Sequence, residues 1–155
     1  MSNHTTTCIP VNDEYAALVG KAVYVFSYYE STIIQIAEKL EPGFLNEYCR
    51  VNNMTSGAVK HRFKIAIQKP SIQITTNQVK QLMACYKTFS DLIVRRNALV
   101  HAHPITATDG SQILAYQAHT DKPIADIQWP ASEIESIIAD IDSAAIEAGQ
   151  LFEQL

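Results

Sequence analysis

No apolar run in the chain approaches the roughly 18 residues that a membrane-spanning helix requires, and the opening stretch MSNHTTTCIPVNDE lacks the basic-then-apolar layout of a secretory signal. A cytoplasmic protein without a membrane partner is expected. Cysteine is scarce: Cys8, Cys49 and Cys85 are odd in number and far apart, without the paired spacing of a disulfide framework or a zinc site. They are expected to be reduced and structural. Few aromatic residues neighbour the basic ones, which argues against a base-stacking platform of the kind single-strand binders use. Internal repeats, low-complexity segments and linkers suited to a second domain are missing as well. His101 and His103 have the x-spaced arrangement that can hold a metal, but no acidic or cysteine ligand lies close to them in sequence. No metal or other cofactor is expected.

What is present is enough for one self-sufficient fold. With 155 residues, 47% of them hydrophobic and 18% charged, the chain has the size and composition of a single globular domain over 1–155, irregular over 1–12. The net charge of −4 conceals a division along the chain. Residues 1–49 carry two basic and six acidic residues, 50–103 carry nine basic residues and the lone acid Asp91, and 104–155 carry one basic and nine acidic residues. A +8 middle between acidic flanks points to a local anion-binding face on an acidic body.

Apolar periodicity predicts four long helices. From Asp13 to Leu40 the positions Leu18, Ala22, Val25, Tyr29, Ile33, Ile36 and Leu40 recur at steps of three and four, and the EPG at 41–43 ends the run. A second helix is expected from about Thr55 to Lys69, stopped by Pro70 and buried through Val59, Phe63 and Ile67. The third begins near Thr76 or Asn77, carries Val79, Leu82, Met83, Tyr86, Phe89, Ile93 and Val100 on one stripe, with Leu92, Ile93, Leu99 and Val100 as core, and ends at about His101 to His103 before Pro104. The fourth opens at Pro130 with a Ser132-x-x-Glu135 capping box and runs to the C-terminal end on Ile134, Ile137, Ile138, Ile141, Ala145, Ala148 and Phe152. Between the last two, QILAYQ and IADIQW are short β-leaning runs that follow a DG turn at 109–110. The fold class read from this is all-α: a four-helix up-and-down bundle with a small β-hairpin, at about 112–129, inserted between the third and fourth helices.

The end of the third helix, LIVRRNALVHAHP, carries the chemistry. Asn97 and His101 are four residues apart and share a helix face, while Arg96 continues the line of Phe89 and Ile93 toward Val100. A charged residue on a core-facing line needs a partner, a groove or a ligand, because burying an uncompensated charge is costly. A guanidinium can bind phosphate oxygens and stabilise developing charge, and a histidine can move the proton of a ribose 2′-hydroxyl or of the leaving oxygen. An arginine, an amide and a titratable histidine in this arrangement, Arg96, Asn97 and His101, suit attack at a phosphodiester. Arg95, His103, Lys60, Arg62 and Lys64 are candidate RNA or phosphate contacts. A helix C-terminus whose basic residues merely complement the dipole is the competing explanation.

RNALVH, Arg96 to His101, resembles the R-x4-6-H motif of HEPN domains (higher eukaryotes and prokaryotes nucleotide-binding), in which a polar residue, often Asn, follows the Arg. Arg95 with His101 and Arg96 with His103 also fit the spacing; Asn97 in the polar position favours Arg96 with His101. The resemblance implies a helical bundle and a metal-independent endoribonuclease of toxin–antitoxin, phage-defence or RNA-processing type, with Arg96 and His101 as candidate catalytic residues and Asn97 supporting them. It also implies a homodimer with two motifs facing one cleft, RNA as substrate, and a cognate antitoxin or neighbouring operon protein as partner. A non-catalytic HEPN-like module that binds RNA, a nucleotide or a protein is the alternative within the same resemblance. Some members carry a tyrosine two residues after the His, modified by a nucleotidyltransferase antitoxin; this chain has His103 there, so the resemblance does not extend to that control.

Overall fold

The computed structural model describes residues 11–48, 55–117 and 126–155. Cys8 and Cys49 lie outside them, as do residues 124–125 of the IADIQW run. Helix α1 (Asp13–Leu40) starts where Asn12 accepts the Tyr15 N–H at 2.9 Å, a cap worth about 1 kcal/mol. After Glu41 the chain reverses through Gly43, whose φ of 98° is open to glycine, into the short helix α2 (Phe44–Tyr48), which the periodicity did not announce. The Glu38 carboxylate accepts the N–H groups of Leu45 and Gly43 at this turn, and the two bonds hold its pKa below the usual carboxylate value. Helix α3 (Ser56–Gln68) is capped by Thr55, and α4 (Thr76–Val100) by a reciprocal box between Thr75 and Gln78.

Helix α5 (Ala131–Gln154) corrects the expectation of a serine cap. Pro130 is the N-cap and donates no side-chain acceptor. The helix has already begun when the chain reaches Ser132, so its hydroxyl is not at the cap position.

α1 packs along α5, and α4 lies against α3, α5 and α1. Their shared core contains Phe26, Tyr29, Ile33, Phe63, Leu82, Phe89, Leu99 and Ile137. Phe26 stacks on Phe89 with centroids 6.2 Å apart, and Tyr29 meets Phe89 edge-on at 5.6 Å. Val100, read as core, is 41% exposed: α4 ends there, and the apolar line passes to Leu99. No described helix is long and apolar enough to cross a membrane.

The protein is mostly helical, with a small three-stranded antiparallel sheet between α4 and α5 in place of the expected hairpin. Strand β1 (His103–Thr106) pairs with β2 (Gln112–Tyr116), which pairs with β3 (Ile127–Trp129). The added strand contains Pro104, which an edge strand tolerates because its missing N–H costs no ladder bond on the outer side. The DG turn joins β1 to β2 through Gly110 at φ 86°. The sheet is bolted to the helices by hydrogen bonds. Trp129 is 1% exposed and donates its indole N–H to the Ala98 carbonyl at 3.2 Å. The Tyr15 hydroxyl donates to the Trp129 carbonyl at 2.6 Å and accepts the Leu114 N–H at 2.9 Å.

Candidate functional site

An open cleft of about 460 Å³ lies where α1, the start of α3 and the end of α4 meet. Arg96, Asn97 and His101 line it from α4, Ser27 and Glu30 from α1, and Thr55, Ser56 and Gly57 from α3. Its floor is Phe26, a ring held from below by Phe89.

Arg96 is fixed on three sides. Its guanidinium carbon sits 4.4 Å from the Phe26 ring centroid, a cation–π contact, and one terminal nitrogen donates to the Ser56 hydroxyl. Glu30 acts on it through space without a direct ion pair. Burial lowers the Arg96 pKa from its ordinary value and Glu30 works against that, so the group remains a cation. Two buried polar atoms here have no hydrogen-bond partner among the described residues: Nε of Arg96 and Oε2 of Glu30. Buried groups of this kind are normally satisfied, and both residues line the same cleft.

The α3 terminus adds positive character. An α-helix leaves its first N–H groups without intrahelical partners. Thr55 takes the Ala58 N–H with its hydroxyl and the Val59 N–H with its carbonyl, which leaves those of Ser56 and Gly57 outside the helical ladder. With the Arg96 guanidinium beside it, this end of the cleft suits an anion. His101 is exposed at the rim; as C-cap of α4 its own N–H returns to the carbonyls of Asn97 and Leu99.

The structure brings together the three residues proposed as catalytic and separates the rest. Arg95, one position from Arg96 but about 100° around the helix, turns to α5 and pairs with Asp140 at 2.5 Å. His103 is exposed at the start of β1 and does not line the cleft. Lys60 reaches Ser90 at 3.4 Å and Lys64 lies 5.6 Å over Tyr86, both toward α4, whereas Arg62 reaches Glu41 at 3.9 Å. Among the described residues no group of three or more His, Cys, Asp or Glu side chains is placed to hold a metal ion.

Glu30 and Ser56 escaped the sequence reading. A signal for Glu30 existed: it stands four residues from Phe26 and four from Ile34, both buried, so it is a charge on an apolar line, as Arg96 is. For Ser56, legible only as part of a helix start, no such signal existed. Comparison with protein-family models, curated proteins and solved structures finds no match to the chain.

Proposed function

We propose that the protein is a metal-independent endoribonuclease of the HEPN type, an up-and-down helical bundle serving as a toxin, phage-defence or RNA-processing effector. The observation that supports this most is that Arg96, Asn97 and His101 share one cleft with the unpaired N-terminus of α3. Arg96 and the α3 terminus bind the scissile phosphate and stabilise the charge that grows on its oxygens in the transition state. Asn97 positions the phosphate or the sugar. His101 transfers a proton, and RNA is cut by attack of its own 2′-hydroxyl. Ser56, Lys60 and Lys64 recur every fourth residue of α3, so phosphates flanking the bound one follow that face.

The active form in this reading is a homodimer. His101 is at the open rim, Val23, which lines the cleft, is 40% exposed, and toward α5 the same helix carries Tyr24 and Tyr28, 75% and 66% exposed. Apolar side chains this exposed beside a site suit contact with a second copy. A cognate antitoxin or neighbouring operon protein restrains the enzyme.

Purified protein is expected to cut RNA in EDTA, and Arg96→Ala or His101→Ala to stop cutting while circular dichroism stays unchanged. Equal cleavage by the wild type and both variants removes the assignment. Salt-dependent RNA binding without turnover would assign the cleft to a binding module instead.

A further inference from the structure

Resting on the ribonuclease reading, we infer that Glu30 is the base that takes the proton of the ribose 2′-hydroxyl, leaving His101 to protonate the departing 5′ oxygen. The displacement needs a proton acceptor at the attacking oxygen and a donor at the leaving oxygen, on opposite sides of phosphorus. Within one copy a single imidazole does not occupy both places, and a second copy's His101 acting as the base would leave His101→Ala without rescue on a sulfur-bridged substrate. Apart from the guanidinium, the side chains lining the cleft include two suited to proton transfer, Glu30 and His101, and they come from different walls, α1 and α4.

Glu30 has the marks of an acceptor waiting for a donor. Its Oε2 is buried and lacks any hydrogen-bond partner among the described residues, a loss of about 1–3 kcal/mol for an ordinary buried polar atom unless something supplies an O–H or N–H. Phe26 and Ile34, one turn to either side and buried, hold that part of α1 in place. Arg96 shares the cleft and offsets the negative charge that would otherwise repel a phosphate beside the carboxylate.

The step balances. The 2′-oxygen forms a bond to phosphorus as its proton passes to the Glu30 carboxylate; the bond from phosphorus to the 5′ oxygen breaks, and that oxygen takes a proton from the His101 imidazolium. The products are a 2′,3′-cyclic phosphate and a free 5′-hydroxyl, and exchange with water resets both groups. A ribose hydroxyl is required, so DNA is bound without being cut.

The test uses an RNA with one 5′-bridging sulfur, whose thiolate leaving group departs without protonation. Glu30→Gln, which keeps the shape of the side chain, is expected to be at least about 100-fold slower than wild type on ordinary and sulfur-bridged RNA alike. His101→Ala is expected to be equally slow on ordinary RNA, yet to recover to within about tenfold of wild type on the sulfur-bridged substrate. Glu30→Asp, which retains a carboxylate, should cut faster than Glu30→Gln, and both variants should bind an uncleavable 2′-O-methyl RNA within about threefold of wild type. A Glu30→Gln enzyme as fast as wild type overturns the inference and leaves the ribonuclease reading standing. Rescue of Glu30→Gln by sulfur in place of His101→Ala also overturns it, by exchanging the two roles. A wild-type protein that cuts neither substrate overturns the ribonuclease reading itself, and the inference with it.

Discussion

Two concave regions lie on either side of α1, fed by consecutive residues: Glu30 lines the α1/α3/α4 cleft, whereas Tyr29 lines a groove of about 280 Å³ between α4 and α5. The groove has its own reactive-looking inventory, Cys85 and Glu147. Burial, with a smaller contribution from Glu147, pushes the Cys85 thiol up to about 12, and burial raises the Tyr29 hydroxyl in the same direction. Both are kept as neutral acids. In the cleft, by contrast, a guanidinium, a helix N-terminus and a carboxylate with spare hydrogen-bonding capacity meet. A buried thiol beside a carboxylate does not make a site when, among the described residues, no cation lines the groove to favour the thiolate.

The contrast is tested most severely by substituting in each region. Arg96→Ala is expected to slow RNA cleavage about 1000-fold in initial-rate assays, while Cys85→Ala leaves the rate within about twofold of wild type. Loss of activity on altering the groove would break the distinction. Next in size is thiol reactivity: with its pKa near 12, only about one Cys85 in ten thousand is thiolate at pH 8, so iodoacetamide should label the folded chain at least about 100-fold more slowly than the urea-unfolded one. Rapid labelling of native Cys85 would mark the groove as a reactive site.

Stability against pH probes the same groove. The folded thiol has the higher pKa, so as pH rises the unfolded chain sheds its proton first. The stabilisation is complete below about pH 8.5 and is lost between there and about 12, amounting to about 2 kcal/mol by pH 10. Tyr29 adds a loss of the same sign at higher pH. Urea melts across this range should show a shallower decline for Cys85→Ala. The smallest expected effect sharpens the cleft's boundary. Arg95→Ala breaks only a partly exposed pair with Asp140, and should change stability by less than about 1 kcal/mol and cleavage by no more than about twofold.

Much of the helical framework was legible. The span of α1, the stop at Pro70 and the start of α4 near Thr76 came from local periodicity and breakers, which act over a few residues whatever the tertiary setting. Strand β1 was not legible: His103–Thr106 is four residues with a proline, and its extended form is stabilised by pairing with β2. The Ser132-x-x-Glu135 pattern reads locally as a cap, whereas α5 begins at Ala131 with Pro130 as its N-cap. In the candidate site the α4 residues were legible because they share one helix, whereas on α3 Lys60 and Lys64 turn toward α4 and Arg62, close in sequence, toward Glu41.

By itself, then, the sequence determined the four long helices, though not the short α2, and which face of α4 carries Arg96, Asn97 and His101, because helix periodicity fixes the angle between side chains on one element. It did not determine what stands opposite. Only the packing of α1 and α3 against α4 put Phe26 under the guanidinium, Ser56 within its reach and Glu30 in the same cleft. Charge, burial and hydrogen-bonding capacity at a point in space depend on every element that reaches it, and those elements meet only when the chain folds.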